Sequence, residues 1–380
     1  MCPGCPASPS AGGESEGRSR LSRRGLMGGL SALAITGALF GSRSRAEAAR
    51  VRLVSDAEPI TGSDGQLAAP APARPGVPSI ASCDDWNARD PSKDVKIIKQ
   101  RPVKILVHHT ATANRSEVGE DDLVVLAKSI QDFHMDTNGW IDSGHHFLVN
   151  RGGLIAEGRH QSLATLLGRQ WMIEGTHCPD QNDIAVGIEN QGTYTEVNPP
   201  AALYSSLRSL CVYVCQQYGI EADMIYGHRD FRDTACPGDK LYGMLPQLRN
   251  EVAQQLGKAT EGARLAMAAP TWPLLRPADT GPRVLAAQHL LRAAGVAGVP
   301  ADGTFGASTS QGVLAFQTRN NMERTGMIAG GSWPLLAVDV RPGQGGEADL
   351  AAQALLHRPN TPATQAPAVI DHPTWQRLLA

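Results

Sequence analysis

The sequence has little imbalance of charge: 35 Lys and Arg stand against 37 Asp and Glu, for a formal net charge of -2 and a sequence pI near 6.6. No Lys/Arg block lies outside the N-terminal region, so a general nucleic-acid partner is excluded. Long hydrophobic runs are also missing. The stretch from Gly25 to Phe40 is too short and too glycine-rich to serve as a membrane span. No His-Glu-x-x-His run occurs, which removes the helix-borne metallopeptidase pattern. What the chain does hold is glycine and proline, 40 and 26 in 380 residues, a composition suited to turns and connected modules. The length predicts two modules plus linkers.

Residues 1–48 read as an export signal. Arg18, Arg20, Arg23 and Arg24 precede the apolar stretch, and Ala46-Glu47-Ala48 places small residues at a cleavage site. Ser22-Arg23-Arg24-Gly25-Leu26-Met27 resembles a twin-arginine signal, which predicts secretion to the cell wall and no stable membrane insertion after cleavage. Residues 49–82, rich in Ala and Pro, read as a flexible linker. A first module spans 83–257 and a second linker 258–271. A helical domain then covers 272–340, with a partial or degenerate second copy over 341–380.

Within the first module, strand and helix patterns alternate. Ile105-Leu106-Val107 is a buried-strand run ending in His108-His109-Thr110, and Ile184 to Glu189 is another. Asp121-Asp122 opens a helix that carries Leu123, Leu126, Ala127, Ile130 and Phe133 and stops by Asn138-Gly139. Arg151-Gly152-Gly153 makes a hairpin turn between His146–Asn150 and Leu154–Glu157. Pro199-Pro200 opens a helix that Gly219 closes. This alternation predicts an α/β module, a sheet with packed helices.

His228 and Cys236 lie eight positions apart in a punctuated loop. Neutral imidazole and thiolate suit a borderline-soft ion such as zinc, but two ligands do not make a site. His108, at a strand end, can supply the third. Two imidazoles and one thiolate leave a fourth position open, the pattern of a catalytic zinc whose water has its pKa lowered toward ~7.

The strings VHHTAT, GWIDSGHHFLVNRGG, AEGRH, DIAVGIENQGTY and GHRDFRDTACPGD occur in order from about Cys83 to Arg249. Together they resemble the zinc-dependent N-acetylmuramoyl-L-alanine amidase and peptidoglycan recognition protein family. The resemblance implies the amidase type 2 fold, a mixed central β-sheet flanked by helices, with one Zn2+ held by His108, His228 and Cys236. It also implies hydrolysis of the amide between N-acetylmuramic acid and L-alanine in peptidoglycan. His109 neighbours the first ligand and is the alternative to it, with packing as its default role. Glu189 matches the catalytic glutamate of the cytosolic anhydro-muropeptide branch. His145 stands where many relatives carry a tyrosine, and it can contact the reacting water, the oxyanion or only the substrate. Thr234 occupies the place of a lysine in other branches and can donate to an oxyanion or cap the loop backbone.

Cys83, Cys178, Cys211 and Cys215 would meet an oxidising compartment and can form two disulfides, whose pairing the spacing does not decide. A second metal site lacks a characteristic spacing. The segment Thr280 to Trp333 resembles a peptidoglycan-binding repeat and predicts a small all-α domain, with Val284, Ala287, Leu290 and Leu291 on one helix face and Val313, Leu314, Phe316 and Gln317 on a second helix. Trp272-Pro273-Leu274-Leu275 recurs as Trp333-Pro334-Leu335-Leu336, and Ala286 to Leu291 recurs as Ala351 to Leu356. Glycan strands and stem peptides are the expected partners. The competing readings are a non-catalytic recognition protein and a zinc peptidase acting within the stem peptide.

Overall fold

In the computed structural model, which describes residues 76–116, 118–257, 272–343, 345–356 and 369–380, short apolar runs assemble into a six-stranded sheet with a two-stranded ribbon beside it. The strands are β1 (Ile80–Ala81), β2 (Ile97–Ile98), β3 (Lys104–His109), β4 (Phe147–Val149), β5 (Ile155–Glu157), β6 (Met172–Ile173), β7 (Ala185–Asn190) and β8 (Ile225–Gly227). The helices of this module are α1 (Glu120–Asp132), α2 (Ser162–Gly168), α3 (Ala201–Tyr218), α4 (Asp239–Gly243) and α5 (Leu245–Gln255). The sheet order is β1-β5-β4-β7-β3-β8, and all its pairings are parallel except β4 with β5. It is the expected mixed sheet flanked by helices.

β3 and β7 sit at the centre because both faces of each are buried, as parallel strands require. One face presents Ile105, Val107, Val186 and Ile188 to a core shared with Leu203, Leu207, Leu210 and Val214 of α3 and Leu248 and Val252 of α5. Each such side chain contributes about 1.5–3 kcal/mol on burial. The opposite face carries Leu148 and Ala156 against Leu123, Leu126 and Ile130 of α1. Side chains alternate along a strand, so His108 and Glu189, paired across the parallel ladder, share the face away from α3. A slip of one residue would bury both in the α3 core.

Helix ends follow local chemistry. Glu120, Asp121 and Asp122 occupy the first turn of α1, where the helix dipole favours negative charge. Gly219, at φ 77°, closes α3 in the left-handed conformation that glycine takes without strain. The sheet also reaches further toward the N-terminus than the linker reading to residue 82 allows, because Ile80 and Ala81 pair with Ile155 and Ala156. The export signal and most of the two linkers lie outside the described residues.

Among its described residues the C-terminal region is helical, with helices at Pro282–Ala293, Ala307–Arg319, Trp333–Leu336, Glu347–Leu356 and His372–Leu379, joined by isolated β-bridges such as Leu275 with Ile328. The two related segments share one core, in which Val284, Leu290, Val313 and Phe316 meet Ala351, Leu355 and Trp375. The repeated tryptophans Trp272 and Trp333 stack at 6.1 Å.

The disulfide expectation is corrected here: among the described residues Cys83, Cys178, Cys211, Cys215 and Cys236 are all buried, and none of them is in a disulfide. Cys211 and Cys215 pack in the α3 core, Cys83 beside α1, and Cys178 against Leu106 and Ala185. The sheet and its helices divide these thiols among separate clusters. Burial raises the pKa of both Cys83 and Cys211 well above the usual thiol range, which makes them inert packing groups.

Candidate metal centre

His108 ends β3, and His228 follows β8 directly in a single helical turn, His228–Asp230. The parallel pairing of β3 with β8 therefore brings both imidazoles to the same edge, the carboxyl ends of the strands, where open α/β sheets place their ligands. The loop then returns with Cys236. One ligand atom from each of His108, His228 and Cys236 lies within 4.8 Å of the others, and all three residues are buried. His108 Nδ1 is 3.8 Å from Cys236 Sγ, and the His108 and His228 rings are 4.4 Å apart.

His177 orients this group. Its Nε2 is 3.3 Å from the carbonyl oxygen of Ala185, which can only accept, so Nε2 carries the proton. Burial pushes the pKa of His177 far down and keeps the ring neutral, leaving a lone pair at Nδ1. That atom lies 3.1 Å from His108 Nε2, which must then donate. The His108 lone pair is left at Nδ1, facing Cys236. Burial, reinforced by the neighbouring histidines, lowers the His108 pKa as well and keeps the ring in its ligating form. The donor set thus fits zinc in residue type, tautomer and spacing. His109 turns to the other side of the strand, where its Nδ1 accepts from the Tyr194 amide at 3.3 Å, so His108 is the member of the group.

Glu189 and His145 meet beside the cluster. His145 Nδ1 stands 2.6 Å from Glu189 Oε2, with both side chains buried, and the His145 ring is 4.6 Å from that of His108. Thr234 is placed differently: its hydroxyl oxygen accepts from the Cys236 amide at 3.2 Å, so it caps the ligand loop.

Three contributors escaped the sequence reading. His177 lay unmarked in a turn. Gly187 makes room for it, because a Cβ at that position would stand 2.6 Å from the His177 ring. Asn190 ties β7 to β3 by donating to the His108 carbonyl at 2.8 Å. The first two are tertiary features, and the sole sequence sign of either is a glycine within an otherwise apolar strand.

Comparison with known proteins decides the family. Peptidoglycan recognition protein 1 of Bos indicus is 31% identical over 176 residues, covering 44% of this chain and 83% of its own length. The chain belongs to the peptidoglycan recognition protein and N-acetylmuramoyl-L-alanine amidase family. The N-acetylmuramoyl-L-alanine amidase family profile matches residues 99–239 of this family member, and a peptidoglycan binding domain profile matches 280–328. An N-acetylmuramoyl-L-alanine amidase of Sus scrofa is 29% identical over 192 residues, which are 49% of this chain and 30% of that protein. Among solved structures, wild-type Drosophila PGRP-LB is 28% identical, covering 44% of this chain and 91% of its own, with a TM-score of 0.39.

Proposed function

We propose that this peptidoglycan amidase family member is a zinc-dependent enzyme that hydrolyses the amide between the lactyl group of N-acetylmuramic acid and L-alanine. The observation that carries this reading is the complete donor set His108, His228 and Cys236 with the Glu189–His145 pair beside it. Zinc held there supplies a Lewis acid that acidifies a water and polarises a carbonyl. Glu189 accepts the proton from the attacking water and returns it to the leaving amine, the two transfers amide hydrolysis needs. His145, with Nδ1 2.6 Å from Glu189 Oε2, holds that carboxylate in place beside the cluster. Thr234 keeps the Cys236 backbone in place. Burial of the group strengthens each of these interactions by excluding water.

The C-terminal helical domain supplies a wall-binding surface alongside the enzyme. Export through the twin-arginine-like segment would deliver the protein to the cell wall. The test is release of free amines from purified cell walls by the zinc-loaded protein. Release that stops with a chelator and resumes with zinc supports the amidase. Wall binding without release supports a recognition protein instead.

A further inference from the structure

The loop that carries two of the three ligands is gripped by the C-terminal module. Asp233, between His228 and Cys236, is 5% exposed. Its Oδ1 accepts from the amides of Ala329 at 2.7 Å and Ser332 at 2.9 Å. Its Oδ2 accepts from the Ser332 hydroxyl at 2.6 Å and from Gln317 Nε2 at 3.1 Å. Gln317 is itself fixed, since its Oε1 accepts from the Thr325 and Gly326 amides. Four donors on one buried carboxylate make charge-assisted bonds, stronger than ordinary ones.

Two further contacts flank this one. The Gly330 amide donates to the Arg229 carbonyl at 2.9 Å, an approach only glycine permits, because a Cβ at 330 would stand 2.0 Å from the Asp230 carbonyl oxygen. On the other side, Arg276 Nη2 meets Asp239 Oδ2 at 2.7 Å, while Asp239 Oδ1 holds Arg229 Nη1 at 2.8 Å. Arg229 in turn donates from Nη2 to the Ala235 carbonyl, and its amide donates to the Cys236 carbonyl at 3.1 Å. The two modules are therefore linked through groups that fix the backbone on each side of His228 and Cys236.

We propose that the C-terminal module is a structural part of the metal centre, and that Asp233 is the positioning residue through which it holds the ligand loop. The proposal rests on zinc binding at His108, His228 and Cys236 but adds a role that wall binding does not require. A tethered wall binder needs no buried carboxylate beside the ligands. A clamp does, because loop freedom lost before metal arrives is not lost again on binding.

The test compares full-length chains: the parent, Asp233→Ala, Asp233→Asn, Ser332→Ala, Arg276→Ala and, as a remote control in the same module, Arg292→Ala. Zinc affinity is measured by chelator competition, the thiolate-to-metal absorption is read with cobalt in place of zinc, and circular dichroism checks folding. Asp233→Ala is expected to weaken zinc binding roughly 10-fold and to alter the cobalt spectrum, as loss of outer-shell support does. Asp233→Asn keeps Oδ1 for the two amides and should fall between Asp233→Ala and the parent. Ser332→Ala and Arg276→Ala, milder changes that do not depend on Asp233→Ala folding, should weaken binding a few-fold, by about 2–5 times, and Arg292→Ala not at all. Folded variants with the parent's zinc affinity and cobalt spectrum would overturn the proposal while leaving the amidase reading intact. A parent chain that takes up neither metal would overturn both.

Discussion

His177 fixes His108 from the side opposite Cys236, its Nδ1 lying 3.1 Å from His108 Nε2 and its own Nε2 3.3 Å from the Ala185 carbonyl oxygen. The direction of both bonds follows from the carbonyl, which cannot donate. Replacing His177 by Ala frees the His108 ring to rotate and to take the other tautomer. Zinc affinity should fall roughly 10- to 100-fold, measured by chelator competition, and an unchanged affinity would remove His177 from the support of the site.

Gly187→Ala tests the same relationship from the sheet. A Cβ there stands 2.6 Å from the His177 ring, and β7, at the centre of the sheet, cannot move away. The variant should lose about 1–3 kcal/mol of stability in denaturant titration, the range for overpacked cores, and bind zinc more weakly than the parent. Full stability would show that the ring moves aside at no cost.

Glu189→Gln keeps the shape of the side chain and removes its basicity. Zinc content should be unchanged while kcat drops roughly 100- to 10,000-fold, the share that proton transfer ordinarily contributes. Retained turnover would move the proton-transfer role to His145, whose Nδ1 stands 2.6 Å away.

The pH dependence of folding should reveal His146. Burial lowers its pKa from the ordinary 6.5 to about 4, against the opposing bond to the Ile173 carbonyl. Between those values the unfolded chain binds a proton that the folded chain does not. Stability is therefore complete above pH 6.5 and falls as the pH drops toward 4, by about 3 kcal/mol for this group once both limits are passed. Urea denaturation of the metal-stripped protein across that range measures it, and an NMR titration should place the His146 midpoint near 4. A midpoint near 6.5 would contradict the account.

Much of the sheet could be read in advance because its strands are apolar runs and its longer helices have local end signals, the first-turn acids of α1 and the closure of α3 at Gly219. The ligands were legible for a different reason: zinc chemistry restricts residue type, and five motifs occur in the family's order. His177 and Gly187 were not legible, since their meeting depends on how a turn folds back over β7. Nor were the bonds of Asp233 to Ala329 and Ser332, which join segments about a hundred positions apart with no periodicity to mark them. The cysteines misled because the compartment expectation says nothing of where each thiol packs. The C-terminal domain, expected to be a tethered binder, contacts the ligand loop itself.

The central claim is the bond that is cut. A muropeptide containing N-acetylmuramic acid joined to L-alanine, incubated with the zinc-loaded full-length protein and analysed by mass spectrometry, should yield the free sugar acid and a peptide beginning with L-alanine, with no new reducing ends. An intact lactyl-alanine bond after prolonged incubation would contradict the account.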